Sequence, residues 1–406
     1  MNKTKTTFVL TDLGIVCSLG IGKQEVSQAL FAGVAPKVLA TPKQLFSGKT
    51  VNVFLIPTEL HNLPVEYLDL NSRNNCLLQL VLDQILPTVN RLKLKYGSSR
   101  IGIVLATTSS GTFEAELAFE HKIRTGKWRD RFFYQQQEIA SPSIFAAKYL
   151  NINGPAYTIS TACSSSSKAI LSARRLILSG ICDAVICGGV DTLCELTLNG
   201  FDSLELLTEQ ICLPCSKNRN GISLGEGAAV FVMTTDEQQR DNIVFYGGGE
   251  NSDAYHISAP EPNGSGPENA ILQALNMAEL DPKDVNYINL HGTGTKLNDE
   301  METKCIYRIF GNSIFCSSTK ALTGHTLGAS GAIEAGILWL SLAEESNGSI
   351  PLPPHIWDEE KDPKLPELNF VKFAQRDYSK KNGYVLISNS FAFGGSNVSL
   401  ILGKQP

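Results

Sequence analysis

Thr161-Ala162-Cys163-Ser164-Ser165-Ser166-Ser167 joins an apolar run at 156–159 to an amphipathic run at 168–178. The first run reads as a strand and the second as a helix. The thiol is therefore expected at a strand-to-helix turn, beside free N–H groups at the positive end of the helix dipole. Both favour the thiolate, the nucleophilic form of cysteine. The small serines around it leave room for a substrate. One such cysteine is also an ordinary small core residue, so the rest of the chain has to decide.

Two later segments do so. Asn289-Leu290-His291-Gly292-Thr293-Gly294-Thr295 places a histidine where an apolar run at 285–290 enters a Gly/Thr turn. Ser318-Thr319-Lys320-Ala321-Leu322-Thr323-Gly324-His325 is followed by Leu327-Gly328-Ala329-Ser330-Gly331 and an apolar helical pattern reaching Leu342. The chain has only six histidines in 406 residues. Two of them sit in turns whose composition lets a backbone approach a ligand closely.

Together with Asn389-Ser390-Phe391-Ala392-Phe393-Gly394-Gly395-Ser396-Asn397, these segments closely resemble the β-ketoacyl-acyl carrier protein synthases. These are the elongating Cys-His-His condensing enzymes of the thiolase-like superfamily. The motifs stand in the family's order, and the resemblance runs over essentially the whole chain, starting at Leu13-Gly14-Ile15-Val16. It implies an α/β chain with a duplicated, five-layer α-β-α-β-α thiolase-like fold. It implies decarboxylative Claisen condensation of an acyl thioester with a malonyl thioester. Substrates would ride on the phosphopantetheine of an acyl carrier protein, with no bound cofactor or metal.

Residue by residue, Cys163 matches the acyl-accepting nucleophile. His291 and His325 match the pair of neutral imidazole donors that hold the malonyl enolate oxygen, as an oxyanion hole does. Lys320 matches the lysine holding the network around the second histidine, and Glu334 the buried glutamate that pairs with it. Asp299 and Glu302 match carboxylates bracing the His291 loop; acidic residues solvated at a helix start are the equal alternative. Phe393 matches the residue whose N–H, with that of Cys163, forms the second oxyanion hole. Gly394-Gly395 supplies the positive φ angles such a loop needs. Thr108, Ser109, Ile222, Thr293, Thr295, Phe391 and Gly394 fall in the family's substrate pocket.

Five basic residues in ten mark Lys122-Ile123-Arg124-Thr125-Gly126-Lys127-Trp128-Arg129-Asp130-Arg131. By resemblance this strip and Arg73 dock an acidic acyl carrier protein at the tunnel mouth, with Lys122, Arg124, Lys127 and Arg129 in contact. A charged surface loop is the plainer reading. The expected partner subunit is a second copy, or a cysteine-less chain-length-factor homologue.

The chain departs from the housekeeping pattern at several points. Ile222 replaces a pocket phenylalanine, and Thr107-Thr108-Ser109-Ser110 replaces a more glycine-rich border of the acyl pocket. Lys296 stands where proline is common, in a loop that looks like those of aryl-polyene ketosynthases. These features suggest a specialised bacterial type II polyene or fatty-acyl pathway. The alternatives are an ordinary fatty acid elongase and a non-catalytic chain-length factor; the latter typically lacks the cysteine present here. A thiolase would be expected to carry a second cysteine in the late loop at 391–397, which has none.

Hydrophobic residues at 43% and charged residues at 18% describe a soluble globular chain with a large core, and a net charge of −5 argues against general nucleic-acid binding. Ten scattered cysteines fit a reduced, cytoplasmic setting better than a disulfide framework. Cys212-Leu213-Pro214-Cys215 has no second pair to complete a zinc site. Lys3 and Lys5 before 8–10 faintly resemble a signal peptide, but Asp12 interrupts the apolar run. No apolar stretch is long enough to span a membrane.

Strand-like runs are expected at 7–10, 102–105, 156–159, 184–187, 228–233, 242–246, 285–290, 313–316, 384–388 and 398–402. The run into Cys163 has a weak echo at 314–317, again a strand leading to a turn and an apolar helix. The polar stretch at 234–241 suggests a seam between halves 1–241 and 242–406. Residues 259–267 and 350–354 read as surface loops.

Overall fold

The computed structural model describes residues 6–235, 242–379 and 383–404. Lys3, Lys5 and positions 236–241 of the expected seam lie outside the described residues.

Ten principal strands lie at the expected places. They are β1 (Phe8–Cys17), β2 (Ile101–Ala106), β3 (Ala156–Ile159), β4 (Ala184–Asp191), β5 (Gly227–Thr234), β6 (Ile243–Ser252), β7 (Tyr287–Asn289), β8 (Phe315–Ser317), β9 (Tyr384–Phe391) and β10 (Ser396–Lys404). Most run longer than the apolar stretches that announce them. Glycine and polar residues at their ends still take part in the ladder once a neighbouring strand fixes them.

The strands form one sheet, ordered β8-β7-β9-β10-β6-β1-β5-β4-β2-β3, with Asn369–Phe370 added outside β8. Each half repeats one pattern. Its third strand lies beside its second, then come its fourth, fifth and first. In both halves the pairs toward the outer end of the sheet are parallel (β2 with β3 and β4; β7 with β8 and β9) and those nearer its middle antiparallel. The two halves meet where β1 pairs with β6 over Phe8↔Phe245 to Leu10↔Ile243.

Side-chain alternation builds the layers. On β2, Ile103 and Leu105 point to an outer cluster, whereas Val104 and Ala106 point to a central one. The outer cluster is covered by α1 (Arg73–Tyr96) through Leu77, Val81 and Ile85. The central cluster holds α3 (Ser165–Leu178) and α6 (Ser330–Ala343), and draws residues from both halves, Ile15 and Phe231 with Leu386 and Leu400. On the far side, α4 (Ser265–Ala278) and α5 (Lys296–Phe310) cover Ile288, Ile387 and Ile401. A further helix, α2 (Thr112–Thr125), follows β2. The result is helix, half-sheet, helix pair, half-sheet, helix: the duplicated thiolase-like arrangement.

The central helices approach very closely. A Cβ on Gly331 would sit 2.0 Å from Ser167 Oγ. The Ala332 N–H donates to Ser166 Oγ at 2.9 Å, and the Ser167 and Ser390 hydroxyls are 2.9 Å apart. The serines after Cys163 thus knit α3 to its neighbours and do not clear space for substrate. Residues 350–354 also differ from expectation, being buried. Ile350–Pro351 pairs with Arg376–Asp377, and Pro353 accepts a hydrogen bond from Ser317 Oγ at 2.8 Å. Prolines fit there because their carbonyls find partners and they bring no N–H to satisfy. No helix among the described residues is long and apolar enough to cross a membrane.

Candidate active site

Cys163 stands between β3 and α3, at the centre of the molecule. Its turn is forced: Ala162 has φ +52°, a conformation that non-glycine residues rarely adopt. The turn is held by Ser165 Oγ, which accepts from Thr161 N at 2.8 Å and donates to Ala162 O. From the other half, His325 brings Nε2 to 2.9 Å from Cys163 Sγ. Its backbone is clamped on both sides, donating to Ser223 O at 2.8 Å and accepting from Gly225 N at 3.0 Å. Leu327 just beyond it again has positive φ, +53°. His291, at the end of β7, meets His325 edge-on with ring centroids 5.4 Å apart. The sulfur and one nitrogen of each imidazole lie within 4.8 Å of one another.

Burial governs the protonation states. It pushes the Cys163 thiol up to about 11, against the opposing pull of the Lys320 cation and the backbone N–H groups of Phe393 and Cys163 itself, which face the sulfur. The helix dipole that the sequence suggests would make a thiolate is therefore outweighed by desolvation, and the resting group is a thiol. Burial, reinforced by Lys320, holds both imidazoles well below their ordinary range, so they are neutral.

Lys320 is fully buried. Its ammonium donates to the backbone carbonyl of His291 and to Glu334. The resemblance assigned it to the second histidine; in the structure its hydrogen bond fixes the first. Burial raises the Glu334 carboxyl, with Lys320 opposing. Glu302 accepts from the N–H groups of His291 at 2.7 Å and Gly292 at 2.8 Å, and Asp299 accepts from Cys215 at 2.7 Å and Gly294 at 3.3 Å. Both are buried, so they brace the His291 loop and are not solvated helix-start acids. Burial pushes Glu302 up to about 7.

A cavity of about 320 Å³ opens onto Cys163, His291 and His325. Ile222, Thr293, Thr295, Phe391 and Phe393 line it. Phe201, which sequence reasoning passed over, stacks on Phe393 at 5.8 Å. Gly394 and Gly395 do take positive φ (+77° and +74°), but Gly394 lies beside the cavity, its N–H on Ile257 O.

Thr108 and Ser109 do not line the cavity. Their hydroxyls and N–H groups, with the Thr107 hydroxyl, converge on the buried carboxylate of Asp191 at 2.7–3.1 Å. Local hydrogen bonding to an acid at the end of β4 turns this segment inward, behind the Leu327–Ala329 turn. Gly328 makes that contact possible, since a Cβ there would lie 2.7 Å from Asp191. Asp191 escaped notice because a lone acid after an apolar run carries no motif.

The expected docking residues divide. Arg73 is committed to the buried Glu226, Nη2 to Oε1 at 2.5 Å, which removes it from the free surface cations. Lys122 donates to Gly126 O at 2.7 Å and lies over the Trp128 ring. Arg124, Lys127 and Arg129 are exposed. Within this chain the strip borders a second cleft, of about 500 Å³, shared by Arg73, Arg129 and Arg131, and does not line the Cys163 cavity. Cys212 and Cys215 are buried free thiols. The Cys163 group is the one cluster of metal-ligating type among the described residues.

Comparison with known proteins agrees with this geometry. Residues 79–239 match the beta-ketoacyl synthase N-terminal domain and residues 243–351 the corresponding C-terminal domain. The chain is 32% identical to a 3-oxoacyl-[acyl-carrier-protein] synthase 2 of Synechocystis sp., across 99% of each chain. It superposes on a structure of the ketosynthase ApeO in complex with its chain length factor ApeC, from Xenorhabdus doucetiae, with TM-score 0.91 and 43% identity over 98% of each chain. The ishigamide ketosynthase/chain length factor structure gives TM-score 0.86 at 27% identity, covering 99% of this chain and 100% of that one.

Proposed function

The chain belongs to the β-ketoacyl synthase family of acyl-transferring condensing enzymes, and we propose that Cys163, His291 and His325 divide its reaction between them. Ketosynthases of this family need no cofactor of their own, and their acyl groups arrive on acyl carrier protein. As an acyl thioester enters, the Cys163 thiol is deprotonated and its sulfur attacks the thioester carbonyl. The N–H groups of Cys163 and Phe393 receive the developing oxyanion. The carrier thiol then leaves with the proton, and the acyl group stays on sulfur as a reactive thioester.

A malonyl thioester next loses CO₂. The electron pair of the broken C–C bond moves into an enolate, whose oxygen accepts hydrogen bonds from the two neutral imidazoles. The enolate carbon attacks the acyl carbonyl, a new C–C bond forms, and Cys163 departs as a thiolate that takes a proton from solvent to regain the resting thiol. Neutral donors suit this step, because an imidazolium would instead hold the malonyl carboxylate as an ion pair.

The observation that carries the reading is the 2.9 Å contact between Cys163 Sγ and His325 Nε2, with His291 beside it in one buried pocket. Cys163→Ala should abolish acylation by acyl-carrier protein, read by intact mass. His291→Ala and His325→Ala should lose malonyl decarboxylation far more than self-acylation, by about 3–4 kcal/mol of transition-state stabilisation each. Equal, complete loss of acylation in both would assign general-base work in its place.

The pathway part of the proposal rests on Ile222, Lys296 and the likeness to ketosynthases solved with chain length factors. It places this chain in a specialised type II pathway of aryl-polyene type, in the cytoplasm, paired with a chain-length-factor-like subunit. The exposed Arg124, Lys127 and Arg129 remain its candidate carrier contacts. The edge of β3, which among the described residues has a sheet neighbour on one side only, supports pairing with a second subunit.

A further inference from the structure

We infer that Lys296 holds the phosphate of the carrier's phosphopantetheine arm at the mouth of the Cys163 cavity; the inference rests on the carrier-dependent condensation proposed above. Cys163, His291 and His325 form the buried floor of the cavity, and Glu205, Asn220, Lys296 and Leu297 are its exposed residues. Among the described residues that line it, Lys296 is the only Lys or Arg, while Glu205 and Asp253 are acidic. A donor threading this cavity is itself anionic. Its phosphate cannot follow the thiol to the floor, because the arm must reach Cys163 while its far end stays tethered outside. Without Lys296 the charged side chains lining the cavity would all be acidic.

The ammonium is unclaimed. No ion pair or hydrogen bond of it occurs among the described residues, and its acidic neighbours in sequence are occupied elsewhere: Asp299 by Cys215 and Gly294, Glu300 by Lys304 at 2.6 Å. Its position adds to its charge. Lys296 is the first residue of α5, and the Thr295 side chain does not cap that helix; Thr295 Oγ1 instead meets Thr293 Oγ1 at 2.9 Å. The first-turn N–H groups therefore add positive potential on the same rim. This site reads a phosphate as a point charge, which suits lysine.

Malonyl thioesters of pantetheine and of 4′-phosphopantetheine, which differ by the phosphate alone, test the inference. The wild-type enzyme should show a KM about five- to tenfold lower for the phosphorylated donor, the size expected of one partly exposed charge-assisted contact. Lys296→Ala should raise that KM to the pantetheine value at unchanged kcat, leave the pantetheine donor unaffected, and be rescued by Lys296→Arg. Lys296→Pro, which the first helical position accepts, should behave like alanine. A phosphate preference that survives in Lys296→Ala overturns the inference. Equal loss with both donors also overturns it, pointing to the malonyl carboxylate or to the fold. If wild-type enzyme condenses neither small donor nor malonyl-carrier protein, the ketosynthase activity itself fails and the inference falls with it.

Discussion

Cys163 lies in two opposing fields. Burial favours the thiol, and Lys320 and two backbone N–H groups favour the thiolate; burial wins, setting the group at about 11. A raised thiol pKa lowers the thiolate fraction, to roughly one part in a thousand at pH 8. Alkylation of Cys163 by iodoacetamide, followed by mass, should therefore keep accelerating, about tenfold per unit, up to pH 10. A plateau by pH 8 would show a thiolate–imidazolium pair already present in the resting enzyme. The same enclosure keeps the histidines neutral, and neutral donors are what the decarboxylation step uses.

At the scale of the elements, catalysis depends on how closely α3 and α6 can approach, because one starts just after Cys163 and the other just after His325. Gly331 and Ser167 set that distance. Gly331→Ala should force the helices apart and cost about 1–3 kcal/mol in urea unfolding, as overpacking does. Adding Ser167→Ala, which removes the atom the new methyl would strike, should recover much of the loss. Additive effects in the double variant would place the strain elsewhere. In the sequence Gly331 reads as part of a glycine-rich helix after His325; it lies inside α6, where its value is the missing side chain. The expected strand into Cys163 appears at β3 with the same limits, since a short run bounded by turn residues carries its own ends.

For the whole molecule, β3 is the sheet edge that the proposed partner would extend. Ile103 N donates to Pro155 O, so by the alternation of strand hydrogen bonding the N–H groups of Ala156 and Thr158 face outward. Thr158→Pro removes one outward donor and should leave the inner ladder intact. Light scattering should then show a monomer in place of a dimer, with an unchanged circular dichroism spectrum. A dimer of wild-type affinity in this variant would move the interface away from β3. The nucleophile comes from the first half and the two histidines from the second, meeting within 4.8 Å of one another, so neither half holds a complete site.

The sequence alone determined the residues of the Cys-His-His group, the ten strand positions and the glycine pair beside Phe393. Each is written in short-range signals: apolar runs of strand length, turn residues at their ends, and motif spacing. Tertiary structure alone decided the protonation of Cys163, the pairing of Arg73 with Glu226, the choice of His291 O by Lys320, the burial of 350–354 and the turning of Thr108 and Ser109 onto Asp191. These depend on partners far apart in the chain, 153 positions for Arg73 and Glu226, and on how completely packing removes water. Periodicity records neither. A charged side chain reads alike in sequence whether it meets solvent or a buried counter-ion, and the fold makes that choice.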